Sequence, residues 1–119
     1  MSPYAASLAD LIAIDGALGA AVVDTETGMV LAHTGDGIDL DSASAATTEI
    51  VRAQGRALRT LAVTDTIDDI LVTLTTQHHL IRPLRATPNH FLYLVLDRAR
   101  AHLPLARIRL QDIDAQLSS

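Results

Sequence analysis

Cysteine and lysine are both missing from this chain of 119 residues. Without cysteine there is no disulfide, no thiolate zinc site and no cysteine nucleophile. Without lysine there is no Walker-type phosphate-binding loop, so the glycines on either side of Asp36 do not form one. Aromatic residues are scarce as well, since only Tyr4, Phe91 and Tyr93 occur. The core must therefore be built from leucine, isoleucine, valine and alanine.

Long apolar runs and an excess of positive charge are also absent. The longest fully apolar run covers only residues 91–96, whereas a membrane helix needs about 20 residues. Asp10 and Asp15 interrupt the N-terminal apolar pattern, and no basic segment precedes it, which argues against a signal peptide. The formal net charge of −5 argues against nonspecific binding to nucleic acid. We therefore expect a cytoplasmic protein that neither inserts into membranes nor binds nucleic acid.

The polar residues do not form a known catalytic or metal-binding motif. His78 and His79 are adjacent, and neighbouring strand residues point to opposite faces, so the two rings do not converge on one ion. Asp36, Asp39 and Asp41 lack the bidentate glutamate that ends a calcium loop. The Gly-x-Ser-x-Gly elbow of many hydrolases is missing too. We expect no cofactor, no metal ion and no enzymatic activity.

Hydrophobic periodicity predicts a single domain over residues 1–119, with the element order α-β-β-α-β-β-β-α. The predicted helices cover residues 2–15, 41–62 and 101–117. The predicted strands cover residues 18–24, 29–33, 70–75, 79–86 and 91–97. Ser2 is expected to cap the first helix, with Pro3 at its first position and Gly16 at its end. Asp41 or Ser42 is expected to cap the second helix.

The second helix carries two separate stripes. Arg52, Arg56 and Arg59 form a polar stripe, and Glu49 is placed to pair with Arg52 three residues later. This polar stripe is either a solvated face or a binding surface for an acidic partner. The apolar stripe lies on another face and consists of Ala43, Ala46, Ile50, Ala53, Ala57, Leu58 and Leu61.

Both faces of the predicted strands are apolar. Consecutive side chains of a strand alternate between the faces, and residues 20–23 and 91–96 are apolar throughout. Both faces must therefore be covered, which predicts an α+β fold: a three-layer α/β/α sandwich around a five-stranded, mainly antiparallel sheet. Pro83 interrupts the fourth strand and is expected at a bulge, because proline has no N–H to donate.

The width of the sheet predicts a second copy of the chain. Five strands make a sheet about 24 Å wide, and one helix is only about 10–12 Å across. The second helix therefore covers about half of its face, and the same helix of a second copy would cover the rest. We expect the dimer interface to include Gly55 of this helix and Ile70, Val72 and Leu74 of the third strand. Alternatively, Gly55 packs closely on its own sheet.

Several stretches resemble the roadblock/LC7 family, including its bacterial members that partner small Ras-like GTPases. The element order matches along essentially the whole chain. The similar stretches are residues 20–24 with Gly28, residues 68–73, residues 79–84 and residues 91–97.

The resemblance implies a dimer joined through the third strand, with the two central helices side by side. It also implies a non-enzymatic regulator or scaffold whose paired helices bind a small Ras-like GTPase, and we expect Arg52, Arg56, Arg59 and Glu49 to form that surface. The alternative is a small-ligand sensor or a general protein-interaction module of the same fold, with a pocket between sheet and helices.

Overall fold

The computed structural model describes residues 3–118. The helices in this range are α1 (Ala5–Ile12), α2 (Leu40–Thr60) and α3 (Leu103–Leu117). The strands are β1 (Ala17–Asp24), β2 (Val30–Thr34), β3 (Ile70–Thr73), β4 (Gln77–Pro83) and β5 (His90–Asp97). The predicted element order is therefore confirmed, while the predicted capping role of Ser2 lies outside the described residues.

The five strands form one antiparallel sheet in the order β2-β1-β5-β4-β3. In β1 and β5, which pair in the interior of the sheet, alternate side chains enter two different core clusters. Val22 and Leu94 enter one cluster, and Val23 and Tyr93 enter the other. Helices cover both faces, so the α/β/α sandwich predicted from the two apolar faces is confirmed.

α1 and α3 lie together on one face of the sheet. Leu8 and Leu11 of α1 join the core cluster of this face, together with Ala106, Leu110 and Ile113 of α3. The α3 residues recur every three or four positions, which places them on one side of the helix. This pair of helices leaves the opposite face of the sheet to α2.

α2 packs mainly on β1 and β2. Leu40 and Val51 of α2 are buried there in the same core cluster as Phe91. At the other edge of the same face, Ile70 and Val72 of β3 are only half-buried. One helix thus covers the β2 side of this face better than the β3 side, as the width of the sheet led us to expect.

The predicted ends of α1 are wrong. α1 begins at Ala5, so Pro3 lies in the turn before it and not at its first position. α1 ends at Ile12, and Gly16 lies in the turn that follows, with a positive φ of 85°. Gly16 therefore serves the entry into β1, where an added Cβ would lie 2.9 Å from the Ala101 backbone nitrogen.

The predicted cap of α2 is also wrong. The helix begins at Leu40, so its N-cap is Asp39 and not Asp41 or Ser42. The Asp39 carboxylate accepts the Ser42 backbone N–H at 3.3 Å and the Ser42 hydroxyl at 2.8 Å. These hydrogen bonds lower the pKa of Asp39, because they stabilise its charged form.

β4 starts and ends earlier than predicted. Gln77 and His78, which were expected to connect two strands, already pair with β5. Pro83 is the last residue of β4 and pairs with β5 without a bulge. At the end of a strand the missing N–H of proline leaves the ladder intact. Irregular pairing occurs instead in β1, between Val22 and Val23 opposite β2.

Candidate functional site

α2 has three sides with different surroundings. Its buried side faces the sheet and consists of Leu40, Ser44, Thr47, Thr48 and Val51. These residues are not the predicted apolar stripe, because the helix turns two threonines and a serine toward the sheet. The buried Thr48 hydroxyl is satisfied within the helix, because it donates to the Ser44 carbonyl at 2.8 Å. No residue of α2 after Val51 is buried, so the last turns of the helix are not held against the sheet.

The second side of α2 carries most of the predicted apolar stripe and is exposed. We call it the alanine side; its residues are Ala46, Ile50, Ala53 and Ala57. Ile50 is 41% exposed, and Leu61, just past the end of the helix, is 69% exposed. Of the predicted stripe, only Ala43 at its N-terminal end packs on the core cluster under α2. A continuous apolar surface of this kind is typical of an interaction site.

The third side of α2 carries Arg52, Arg56 and Arg59, and Arg52 is used within the chain itself. Its guanidinium donates to the Thr25 carbonyl at 2.9 Å and to the Glu26 carbonyl. It also forms the predicted ion pair with Glu49, at 3.2 Å. Arg52 therefore fastens the turn between β1 and β2 to the middle of α2.

Arg56 and Arg59 differ from Arg52 in having no internal partner. Both side chains are exposed, and neither forms an ion pair or a hydrogen bond within residues 3–118. The structure thus brings the predicted arginines to one side of the helix and divides them into one structural residue and two available cations.

Gly55 lies on the arginine side and lines a cavity below the last turns of α2. A Cβ added at Gly55 would meet only the Arg59 Nη1 atom, at 3.5 Å. Close packing on its own sheet therefore does not require this glycine. Each helical residue advances by about 100°, so Gly55 is roughly opposite to Ala53 and Ala57. Its predicted role in a dimer contact stays a prediction.

β3 is an edge strand of the sheet. Ile70 and Val72 turn toward the core cluster under α2, and both are half-buried. Leu74 lies beyond the end of β3, is 42% exposed, and donates its N–H to the Gln77 carbonyl at 2.8 Å. Hence two of the three strand residues predicted at the dimer interface belong to the same face as α2.

A chain of hydrogen bonds joins β5 to β4 under α2. It starts at the hydroxyl of the buried Tyr93, which lies beside Thr47 of α2. The Tyr93 hydroxyl lies 2.9 Å from His79 Nδ1, and His79 Nε2 lies 2.8 Å from Gln77 Oε1. With the Gln77 oxygen as acceptor, the neutral imidazole carries its proton on Nε2 and accepts from Tyr93 at Nδ1. Burial lowers the pKa of His79 and raises that of Tyr93.

The most deeply buried charges were not singled out by the sequence analysis. Arg82 of β4 donates from Nε to Asp114 of α3 at 2.8 Å, and both side chains are almost fully buried. The other Asp114 oxygen accepts the Arg85 backbone N–H at 3.1 Å. The sequence does contain a signal for this pair, because Arg82 and Asp114 are charged residues at positions where the periodicity of β4 and α3 predicts a core-facing side chain. The pair fastens α3 to the sheet on the face opposite α2.

Residues 3–118 contain neither a cluster of metal-binding side chains nor a helix that could span a membrane. Within residues 3–118, no three side chains of histidine, aspartate or glutamate converge in a way that would hold a metal ion. His79 uses both ring nitrogens in the hydrogen bonds described above. In the same part of the chain, no helix combines the length and hydrophobicity needed to cross a lipid bilayer.

Several solved structures share this architecture. MglB of Myxococcus xanthus is 17% identical, with a TM-score of 0.81 over 98% of this chain and 95% of that protein. An MglB with a tetrameric arrangement is 21% identical, with a TM-score of 0.81 over 99% of this chain and 89% of its own. A roadblock/LC7 domain from Streptomyces avermitilis is 12% identical, with a TM-score of 0.76 over 92% of this chain and 88% of its own.

The sequence itself gives no comparable match. No protein-family profile and no curated protein sequence is significantly similar to the chain. The likeness to the solved structures extends over nearly the whole chain at low identity, so it concerns the arrangement of the elements. The element order, the single antiparallel sheet and the two helical layers agree with it. The chain therefore has the roadblock/LC7 fold.

Proposed function

We propose that the chain works as a homodimer that binds a small Ras-like GTPase and modulates its activity or its localisation, without catalysing a reaction itself. The observation that carries this proposal is the exposed surface of α2, with an apolar side next to a side that bears two available arginines. The resemblance to bacterial roadblock domains supports the class of partner.

The alanine side supports the homodimer. It leaves Ile50, Ala53 and Ala57 in water, and small side chains allow two helices to approach closely. On the same face of the sheet, Ile70 and Val72 of the edge strand are half-buried. A second copy seated there would cover both surfaces at once. A solved MglB of this fold has a tetrameric arrangement, which agrees with self-association.

The arginine side supports a protein partner with an acidic surface. Arg56 and Arg59 stand out on a chain whose net charge is −5, and a local positive patch on an acidic protein steers an acidic partner toward itself. Arginine also binds carboxylates in a bidentate manner, which favours specific contacts. Arg52 and Glu49 border this surface and would contact the partner at its edge.

The proposal is tested by measuring the binding of a bacterial small Ras-like GTPase, loaded with GDP or with a non-hydrolysable GTP analogue. We expect Arg56→Glu/Arg59→Glu to weaken binding at least about tenfold, because it inverts two charges at the contact. Arg52 is left unchanged, since its loss would also release the turn between β1 and β2.

The matched control is Arg100→Glu/Arg109→Glu, which inverts two exposed arginines, one in the turn after β5 and one on α3. Both double variants change the net charge equally, so a contact at α2 predicts that only Arg56→Glu/Arg59→Glu loses the partner. Equal binding by the parent chain and both double variants would remove Arg56 and Arg59 from the proposed surface. A GTPase that binds none of them in either nucleotide state would contradict the proposed function.

A further inference from the structure

A cavity of about 880 Å³ lies between the end of α2, the connecting segment 61–69 and the end of β4. We propose that this α2 cavity binds a small aliphatic monocarboxylate, whose carboxylate contacts Arg56 and Arg59 and whose chain lies on the apolar floor. The volume falls within the range of about 300–1,000 Å³ that small-molecule sites occupy. The inference concerns the chain by itself and does not require the GTPase partner.

The floor of the cavity is apolar. Val51 and Leu58 of α2 line the cavity, and so do Val63 and Ile67 of the connecting segment. Leu84, just past the end of β4, also lines the cavity and is only 3% exposed, because it belongs to the core cluster of the α1 and α3 face. An aliphatic chain placed here would leave water and contact carbon on several sides, which is the main source of affinity for such ligands.

The wall on the α2 side is cationic. Arg56 and Arg59 line the cavity and have no ion pair or hydrogen bond within residues 3–118. The missing side chain of Gly55 leaves room here, and Arg59 Nη1 would lie 3.5 Å from a Cβ at that position. Two guanidinium groups beside an apolar floor match a carboxylate with an aliphatic tail.

Other charges at the cavity disfavour a polyanion. Arg52, Arg82 and Arg85 also line the cavity, but Arg52 is held by Thr25, Arg82 is held by Asp114, and Arg85 lies 3.9 Å from the same Asp114 carboxylate. Asp65 and Asp68 lie on the connecting segment and would repel a polyanion. The cavity also adjoins the C-terminal end of α2, where the helix dipole is negative. A nucleotide or another polyphosphate is therefore disfavoured.

The cavity is separate from the surface proposed for the second copy. Gly55 faces the cavity, while Ala53 and Ala57 face the other way around α2, since each residue advances by about 100°. A second α2 seated on the alanine side would leave the cavity open. This geometry favours a small ligand over a second chain as the occupant.

The test is an NMR titration of the full chain with hexanoate, octanoate and octanol. We expect octanoate to shift the backbone amides of residues 55–59, 63–67 and 84. The dissociation constant should fall about fourfold for each added methylene, because each buried methylene contributes a fixed free energy. Octanol should bind at least about tenfold more weakly than octanoate, since it lacks the charge-assisted hydrogen bonds.

Two double variants with the same net charge provide the control. Arg56→Gln/Arg59→Gln should weaken octanoate binding about tenfold, whereas Arg100→Gln/Arg109→Gln should change it less than about twofold. The amide spectra of both variants must match that of the parent chain elsewhere, which verifies folding. Equal weakening by both pairs, equal binding of octanol, or shifts confined to the alanine side would each overturn the proposal.

Discussion

Asp114 has an unusual position for a carboxylate, because it is completely buried inside the helical layer of α1 and α3. One oxygen binds Arg82 and the other binds a backbone N–H of the segment after β4. Both charges are therefore satisfied by fixed partners. Removing one member leaves the other charge buried without compensation, and this cost exceeds the worth of the intact pair.

Asp114→Ala is expected to lower the free energy of unfolding by about 3–5 kcal/mol, as measured by urea denaturation. Arg85→Ala is the matched control, since this side chain is 70% exposed and 3.9 Å from the same carboxylate, and should change stability by less than about 0.5 kcal/mol. The double variant Arg82→Met/Asp114→Leu should recover most of the loss. Similar losses for Asp114→Ala and Arg85→Ala would contradict this account.

His79 makes stability depend on pH. Burial lowers its pKa in the folded chain, whereas the unfolded chain has an ordinary histidine pKa of about 6.5. Below that pH the unfolded state binds the proton first, so the free energy of unfolding should fall as the pH drops from about 6.5 toward the lowered pKa. Denaturation curves at several pH values measure this slope.

The comparison that isolates His79 is the variant His79→Gln, whose amide oxygen can still accept the Tyr93 hydroxyl. Between pH 6.5 and 4.5, the free energy of unfolding of this variant should fall less steeply with pH than that of the parent chain. The difference in slope is the contribution of one titrating group, about 1.4 kcal/mol per pH unit at most. Asp39, with its lowered pKa, acts only at lower pH. Identical slopes in parent and variant would show that His79 is not responsible.

At the scale of the elements, the C-terminal end of α2 forms a known helix-capping motif. Ala62 follows the helix with a positive φ of 55°. Its N–H donates to the Arg59 carbonyl at 3.1 Å, and the Val63 N–H donates to the Leu58 carbonyl at 3.0 Å. This is the Schellman arrangement, in which glycine normally occupies the position with positive φ. An alanine there is strained by its Cβ.

Ala62→Gly should therefore raise the free energy of unfolding by about 0.5–1 kcal/mol, because the relief of strain exceeds the added flexibility of the unfolded chain. Ala45→Gly, at an exposed position inside the same helix, should lower it by about 1 kcal/mol. Urea denaturation of the two variants gives opposite signs if the end of α2 is as described. A loss of stability in both would mean that Ala62 is not strained.

The elements themselves could be predicted from periodicity, but the orientation of α2 could not. Leu103, Ala106 and Leu110 mark one side of α3, and the structure places that side against the sheet. In α2, Ile50 and the alanines mark a side just as clearly, yet Thr47 and Thr48 face the sheet. A pattern of apolar residues cannot tell whether the side that they mark faces the sheet or the surface of the chain.

For the whole molecule, the exposed alanine side predicts an assembly that two added charges can disrupt. Ile50→Glu/Ala57→Glu should convert a dimer into a monomer, because it places carboxylates in an apolar contact. Sedimentation velocity at micromolar concentration measures the change. The melting temperature of the parent chain should also rise with protein concentration, while that of the variant should not.

The control for this prediction is Leu105→Glu/Ile108→Glu, on the outer side of α3. These side chains are 46% and 51% exposed, so they are as apolar and accessible as the alanine side. The control should remain a dimer. A parent chain that sediments as a monomer, or a control that dissociates as readily as the α2 variant, would contradict a dimer formed through α2.

The candidate site could be predicted only in part at this scale. The arginines at positions 52, 56 and 59 were found from their spacing, and they do lie on one side of α2. The internal use of Arg52 was not predictable, because its partners are carbonyl groups of a distant turn. The cavity depends on the path of residues 61–69, which follow no periodic pattern.

The hydrogen bonds of Arg52 determine which positions of the chain can change during evolution. The oxygens that it contacts in the turn between β1 and β2 belong to the main chain, which every amino acid provides. Residues 25 and 26 can therefore be exchanged without loss of the anchor, whereas Arg52 cannot. In a set of orthologous sequences, positions 25 and 26 should vary opposite one invariant arginine.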